Sequence, residues 1–280
     1  MDLIGHCLTI EKSNIFEVEE IYSPKITEFM FVNIMHCHDW GYRNCWKLDR
    51  FKPSLQESVK CIRAHLVCDW VVHYGSNQTN EKLQIGWVYS QIHRITDLAS
   101  AYFRELRVLG YLGDKFGDVC EWSPRKKMNI LHSLIEYAID LRLGEDFDQN
   151  KFEAIKKGLL LLQNETGYGS RGWIKKLFEE LDVKSDREED YLDHSINEMI
   201  DDAAQASFPG EFAVRTTLHK ANIKPNAQTL SVTRKYLEKI ASVFSEDEIN
   251  QIVSDVGKAI YNPEQFYTGP LSTYNDSPSL

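Results

Sequence analysis

The chain has 280 residues, 42% hydrophobic and 26% charged, an ordinary globular balance that supports one large domain or two small ones and excludes disordered and fibrous classes. Its 42 acidic residues outnumber 32 basic ones, giving a formal charge of -10, which argues against general nucleic-acid binding or attraction to anionic membranes because both need a basic face. A single phosphate held through a metal stays compatible with that charge.

Taken in chain order, apolar positions at three- and four-residue spacing predict helices over 11–32, 54–74, 83–110, 127–143, 150–164, 171–182, 186–206, 227–244 and 245–260. Pro53-Ser54, "WSPRKK" and "FSEDE" each open one of them. Few runs alternate with a period of two, no hairpin signal joins such runs, and no fixed repeat recurs, so the expected fold is an all-α multi-helix bundle. No apolar run reaches about 18 residues, so no transmembrane segment is expected. The six cysteines form no CxxC pair, and "MDLIGHCLTI" lacks a basic region followed by a long apolar one, which predicts a cytoplasmic protein with free thiols. Composition changes after residue 145, through the polar "GEDFDQN", the glycine-rich "NETGYGSRG" and the acidic "KSDREEDYLDHSINEMIDD". The expected organisation is a helical, metal-binding core over 1–145, additional C-terminal helices packed on it over 146–262, and a polar tail over 263–280.

The histidines carry the chemistry. "CIRAHLVCDWVVHYGSN", residues 61–77, sets His65, Asp69 and His73 four apart in an apolar run. Helix geometry puts these three on one stripe, which predicts that all three point into one metal site. Further pairs are His93 with Asp97, His132 with Glu136, His194 with Glu198, and His38 directly beside Asp39. A lone histidine on an apolar face is ordinarily a core residue bonded to a carbonyl. Several ionisable groups buried together need a cation or a dense hydrogen-bond network, and imidazole with carboxylate suits zinc, iron or manganese. The His194 pair lies on a strongly acidic helix and reads as a solvated face.

These residues resemble a known family. "HLVCDWVVHYG" is similar to the HxxxDxxxH helix of the zinc-dependent phospholipase C family, and "HSLIEYAIDL" to its later HxxxE helix. The resemblance covers roughly residues 1–145 and implies an all-α bundle whose cleft holds up to three zinc ions, a fold shared with the single-strand-specific zinc nucleases. It implies that His65 and Asp69 are ligands at one end of the cluster, with Asp69 a candidate to bridge two metals, and that His73, His132 and Glu136 hold another ion. "FMFVNIMHCHDWGY" resembles the family's early segment, making Asp39 a first-site ligand near the attacking water. His6 matches the family's N-terminal histidine more loosely. No histidine lies between Asp39 and His65 where the family has one, and His36 or His38 takes that place. His93 and Asp97 are then ordinary packing.

The implied cofactor is Zn2+, two ions or three, and the implied substrate a small phosphoester or phospholipid-like molecule. Two divalent ions about 3.5 to 4 Å apart lower the pKa of a bridging water and polarise a phosphoryl oxygen; Asp39 serves either as ligand or as acceptor of the water's proton. Trp40, Tyr42, Trp46, Trp70 and Tyr74 either wall the site or fill the core, and Arg43 is either a phosphate contact or a surface arginine. Two other readings stand beside this one. "HCHDW" also fits an HD-domain signature, with His38, Asp39, His6, His65 and His93 around iron or manganese, giving phosphohydrolase or oxygenase chemistry. The third is a non-catalytic helical protein whose metal site holds the fold together or presents a partner surface.

Overall fold

The computed structural model describes residues 3–22, 29, 37–74, 86–113, 118–163, 177, 179–183 and 189–263. Among them every regular element is helical: α1 (Leu3–Ser13), α2 (Val18–Ile21), α3 (His38–Asn44), α4 (Pro53–Tyr74), α5 (Trp87–Ser90), α6 (Ile92–Val108), α7 (Pro124–Leu143), α8 (Gln149–Gln163), α9 (Glu189–Gln205), α10 (Pro209–Lys220), α11 (Ala227–Ala241) and α12 (Glu246–Tyr261), with 3-10 turns at Leu48–Arg50 and Val119–Glu121. The all-α multi-helix expectation holds.

Caps and prolines fix the helix starts. Ser123 accepts from the Lys126 amide and Pro124 opens α7; Ser245 and Glu248 form a reciprocal capping box that starts α12. Beyond its exposed first turn helix α4 is largely buried, with Val59, Ile62, Leu66, Cys68, Trp70 and Val72 all in the core. A helix buried on most of its sides belongs in the middle of a fold. Helix α12 lies against α1 and α4, α10 and α11 pack on α7, and α11 also covers α6. The helices beyond residue 145 thus enter the same buried cluster that contains Leu3, Ile62 and Leu131. The six cysteines form no disulfide, and among the described residues no helix is long and apolar enough to cross a membrane.

Several elements differ from expectation, among them α3, which falls where no helix was expected. The helix predicted over 11–32 is instead α1, starting at Leu3 and ending before Asn14, whose φ of 53° is left-handed. Asn is among the few residues that tolerate that conformation, so it stops the helix before α2. The early start escaped notice because Gly5 and Thr9 dilute the helix propensity of α1, which packing on α12 supplies instead. Helix α10 was missed because "FPGEF" reads as a break, whereas Pro209 occupies the first helical turn, where its missing N–H does no harm. The segment 83–110 is divided at Gln91 into α5 and α6. Most of the predicted 171–182 helix, and the tail beyond Pro263, lie outside the described residues.

The seat of α1 on α12 depends on Gly257, where an added Cβ would fall 2.8 Å from Lys12 Cβ and 3.1 Å from its carbonyl carbon. Overpacking of this kind costs about 1–3 kcal/mol. Gly257→Ala should lower unfolding free energy by that amount in urea titration, and an unchanged midpoint would show that the two helices have room to part.

Candidate metal centre

Helix α4 rises about 1.5 Å per residue, so His65 and His73 stand about 12 Å apart along its axis. One ion cannot bind both. The shared stripe expected from the sequence is divided accordingly: Asp69 joins His65 in one group, and His73 belongs to another. The expectation that His65, Asp69 and His73 enter one metal site is corrected on that ground.

The first group is assembled from three helices. His6 of α1 places Nε2 3.1 Å from Asp69 Oδ1, while His38 of α3 and His65 of α4 each place Nε2 3.3 Å from Oδ2. His6 and His65 stack, with ring centroids 4.5 Å apart and planes 18° from parallel, and Phe29 sets its ring edge against both. His65 is 1% exposed, yet neither of its ring nitrogens has a hydrogen-bond partner among the described residues. Its approach to Asp69 is close without hydrogen-bond geometry. Leaving a buried nitrogen so costs about 1–3 kcal/mol. Ligand atoms on a tetrahedral ion with bonds of about 2.0–2.1 Å stand about 3.3 Å from one another; the imidazole-to-carboxylate distances are of that size, and His6, His65 and Asp69 each offer a donor atom within 4.8 Å of the other two.

The protonation state of His65 fits the same reading. Burial lowers the pKa of His65 to about 4, so its ring is neutral at pH 7, the form that binds a metal. Burial works to raise the pKa of Asp69, but the imidazoles of His65, His38 and His6 hold it well below the carboxylate range. His6 moves the other way: burial would lower its pKa, and Cys68 and Asp69 beside it raise it well above the ordinary value.

The second group joins α4 to α7. His73 Nε2 lies 3.0 Å from Glu136 Oε1, and His132 Nε2 lies 3.9 Å from Oε2. The His73 nitrogen also lacks hydrogen-bond geometry to any described partner. The ring of His132 donates from Nδ1 to the Met128 carbonyl, which makes Nε2 an acceptor, 3.4 Å from Ser133 Oγ and 3.9 Å from Glu136 Oε2, the tautomer common in histidines that bind metals. Burial favours protonation of Glu136, yet the positive field around it, to which His73 and His132 contribute, holds its pKa well below the carboxylate range. Both groups can hold a divalent cation by donor type and spacing.

The remaining expectations sort as follows. His36 and the side chains of Asp39 and His194 lie outside the described residues. His38 reaches Asp69. His93 and Asp97 are exposed on α6 and belong to neither group. Tyr42 and Trp70 are buried and pack edge to face at 5.4 Å, so they fill the core. Arg43 is exposed. Tyr89 had escaped the sequence reading, though its ring lies 5.1 Å from His73 and 5.6 Å from His132; a lone tyrosine in "WVYSQIH" carries no spacing signal. No protein-family model, curated protein or solved structure matches the chain.

Gly86 holds the second group together. Its N–H donates to the His73 carbonyl at 2.7 Å, and an added Cβ would fall 2.2 Å from the His73 carbonyl carbon. No side chain fits there without moving backbone. Gly86→Ala should therefore shift the side-chain NMR signals of His73 and His132 and leave those of His6 and His65 in place; a uniform shift of all four, or none, would contradict the division into two groups.

Proposed function

We propose that the protein is a metal-dependent hydrolase of the zinc phospholipase C type, cleaving a phosphoester with a metal-activated water. The reading is carried by two mostly buried carboxylates, Asp69 and Glu136, each met at 3.0–3.3 Å by an imidazole nitrogen that lacks good hydrogen-bond geometry to any described residue. Zinc suits donors of imidazole and carboxylate. When bound, such ions lower the pKa of a coordinated water and draw charge from a phosphoryl oxygen. In this reading His6, His38, His65 and Asp69 hold one site, and His73, His132 and Glu136 the other. Asp39, next to His38 on α3, is the further ligand of the first site or the acceptor of the water's proton.

Side-chain exposure of 27% at His38 and 20% at His132 gives each group an edge that a substrate can reach, which favours catalysis over a closed structural site. The HD-type arrangement is less well supported, because it needs His93 beside His6 and His65, and His93 is exposed on α6. A net charge of -10 suits a small phosphoester or phospholipid-like substrate drawn in by the metal rather than by a basic surface. Six cysteines without a disulfide suit a reducing compartment such as the cytoplasm.

Metals per chain should number at least two, with zinc predominant. Glu136→Gln should lose one and Asp97→Asn none; the reverse pattern would put the HD-type arrangement in place of this one. Hydrolysis of bis(p-nitrophenyl) phosphate should require metal and fall on the order of 100-fold or more in Asp69→Asn. Full metal content with no hydrolysis of a phosphomonoester, phosphodiester and phospholipid panel would favour the structural alternative.

Ligands that bind only the native state stabilise it by RT ln(1 + [L]/Kd), about 4 kcal/mol at a thousandfold excess. Exhaustive chelation should therefore lower Tm by roughly 10 °C. An unchanged Tm after verified metal loss would refute the stabilising role.

A further inference from the structure

Two buried carboxylates take part in neither group: Asp202, paired with His219, and Asp140. Asp140, 1% exposed, lies on α7 one turn beyond Glu136. Its Oδ2 accepts from the Ile4 N–H at 2.8 Å and its Oδ1 from the Gly5 N–H at 3.1 Å. Both amides belong to the first turn of α1, whose N–H groups have no partner within their own helix. The carboxylate satisfies two of them and places its negative charge at the positive end of the helix. The next residue is His6.

We propose that Asp140 is a positioning residue for the first group: by clamping the opening amides of α1 to α7, it sets where His6 meets Asp69, so cation affinity there depends on a side chain that would touch no cation. The proposal rests on the metal reading above. Around His6 itself, Thr9 Oγ1 donates to its carbonyl at 2.8 Å and its ring stacks on His65. Beside the packing of α1 on α12, α4 and α7, the two bonds to Asp140 tie the first turn of α1 directly to α7. The same clamp makes α7 common to both groups, since Glu136 and Asp140 lie four residues apart on it and serve one group each. Asparagine would keep the volume but offer one acceptor oxygen, and its NH2 would face an amide N–H.

The test is titration of the metal-free protein with cobalt(II), following visible absorption, in wild type, Asp140→Asn, His6→Ala and the double variant. Asp140→Asn should weaken one site about 10- to 100-fold, the usual effect of losing a group that orients a ligand, and leave the other unchanged. In the His6→Ala background the same change should add nothing further. Leu218→Ala, which removes a fully buried side chain of α10, serves as a destabilised control and should leave both affinities unchanged. Equal weakening of both sites, or the same weakening in the control, would reduce Asp140 to a structural role and overturn the proposal. If wild type bound no cobalt, the metal reading would fall, and the ring 15N signals of His6 in the metal-free protein would still decide the clamp. A shift at His6 in Asp140→Asn with His132 unmoved supports it, and no shift at His6 overturns it. Asp140→Glu, which keeps two acceptor oxygens on a longer stem, is the second variant should Asn fail to fold, and it should give a smaller shift of the same kind.

Discussion

A carboxylate withdrawn from water must be answered by positive charge or by hydrogen bonds, and Asp69 is answered by imidazoles from α1, α3 and its own helix. That demand constrains the N-terminal half of the fold. It fixes the rotation of α4 about its axis, draws the first turns of α1 and α3 toward one point, and stacks two histidine rings that cannot both be charged at close range. One positive charge on His6 can partly balance Asp69, but neither nitrogen of His65 reaches hydrogen-bond geometry with a described residue. A divalent cation would meet both needs at once, converting a costly burial into a stabilising one.

Glu136 repeats the arrangement one level along α4, and α7 is the helix that makes the repetition possible. It carries His132 and Glu136 toward His73 and, one turn later, Asp140 toward α1. The C-terminal helices hold α7 from the other side, since α10 and α11 both pack on it. The additional helices beyond residue 145 thus pack against the element that both groups share.

The helical class was legible in the sequence because three- and four-residue spacing, prolines and serine caps are local signals, and Ser123-Pro124 and Ser245 act where they were expected to. The spacing of His65, Asp69 and His73 was legible too, but its meaning was not: periodicity reports which face a residue occupies and says nothing of the rise that separates His65 from His73 along the helix. The meeting of His132 and Glu136 with His73 was reached only through family resemblance, since contacts more than 50 residues apart are made by tertiary packing. Asp140 and Gly86 left no trace in the pattern, because one looks like any helical aspartate and the other like any loop glycine. Their roles exist only in the contacts each makes with the backbone of another element.

The claim on which the rest depends is that the two groups hold separate cations. Anomalous diffraction at the zinc edge from crystals of the zinc-loaded protein measures this directly. The account predicts one peak among His6, His65 and Asp69 and a distinct peak among His73, His132 and Glu136, each with ligand distances near 2.0–2.2 Å. Absence of density at both places at saturating zinc, or one ion seated at a different set of residues, would contradict it.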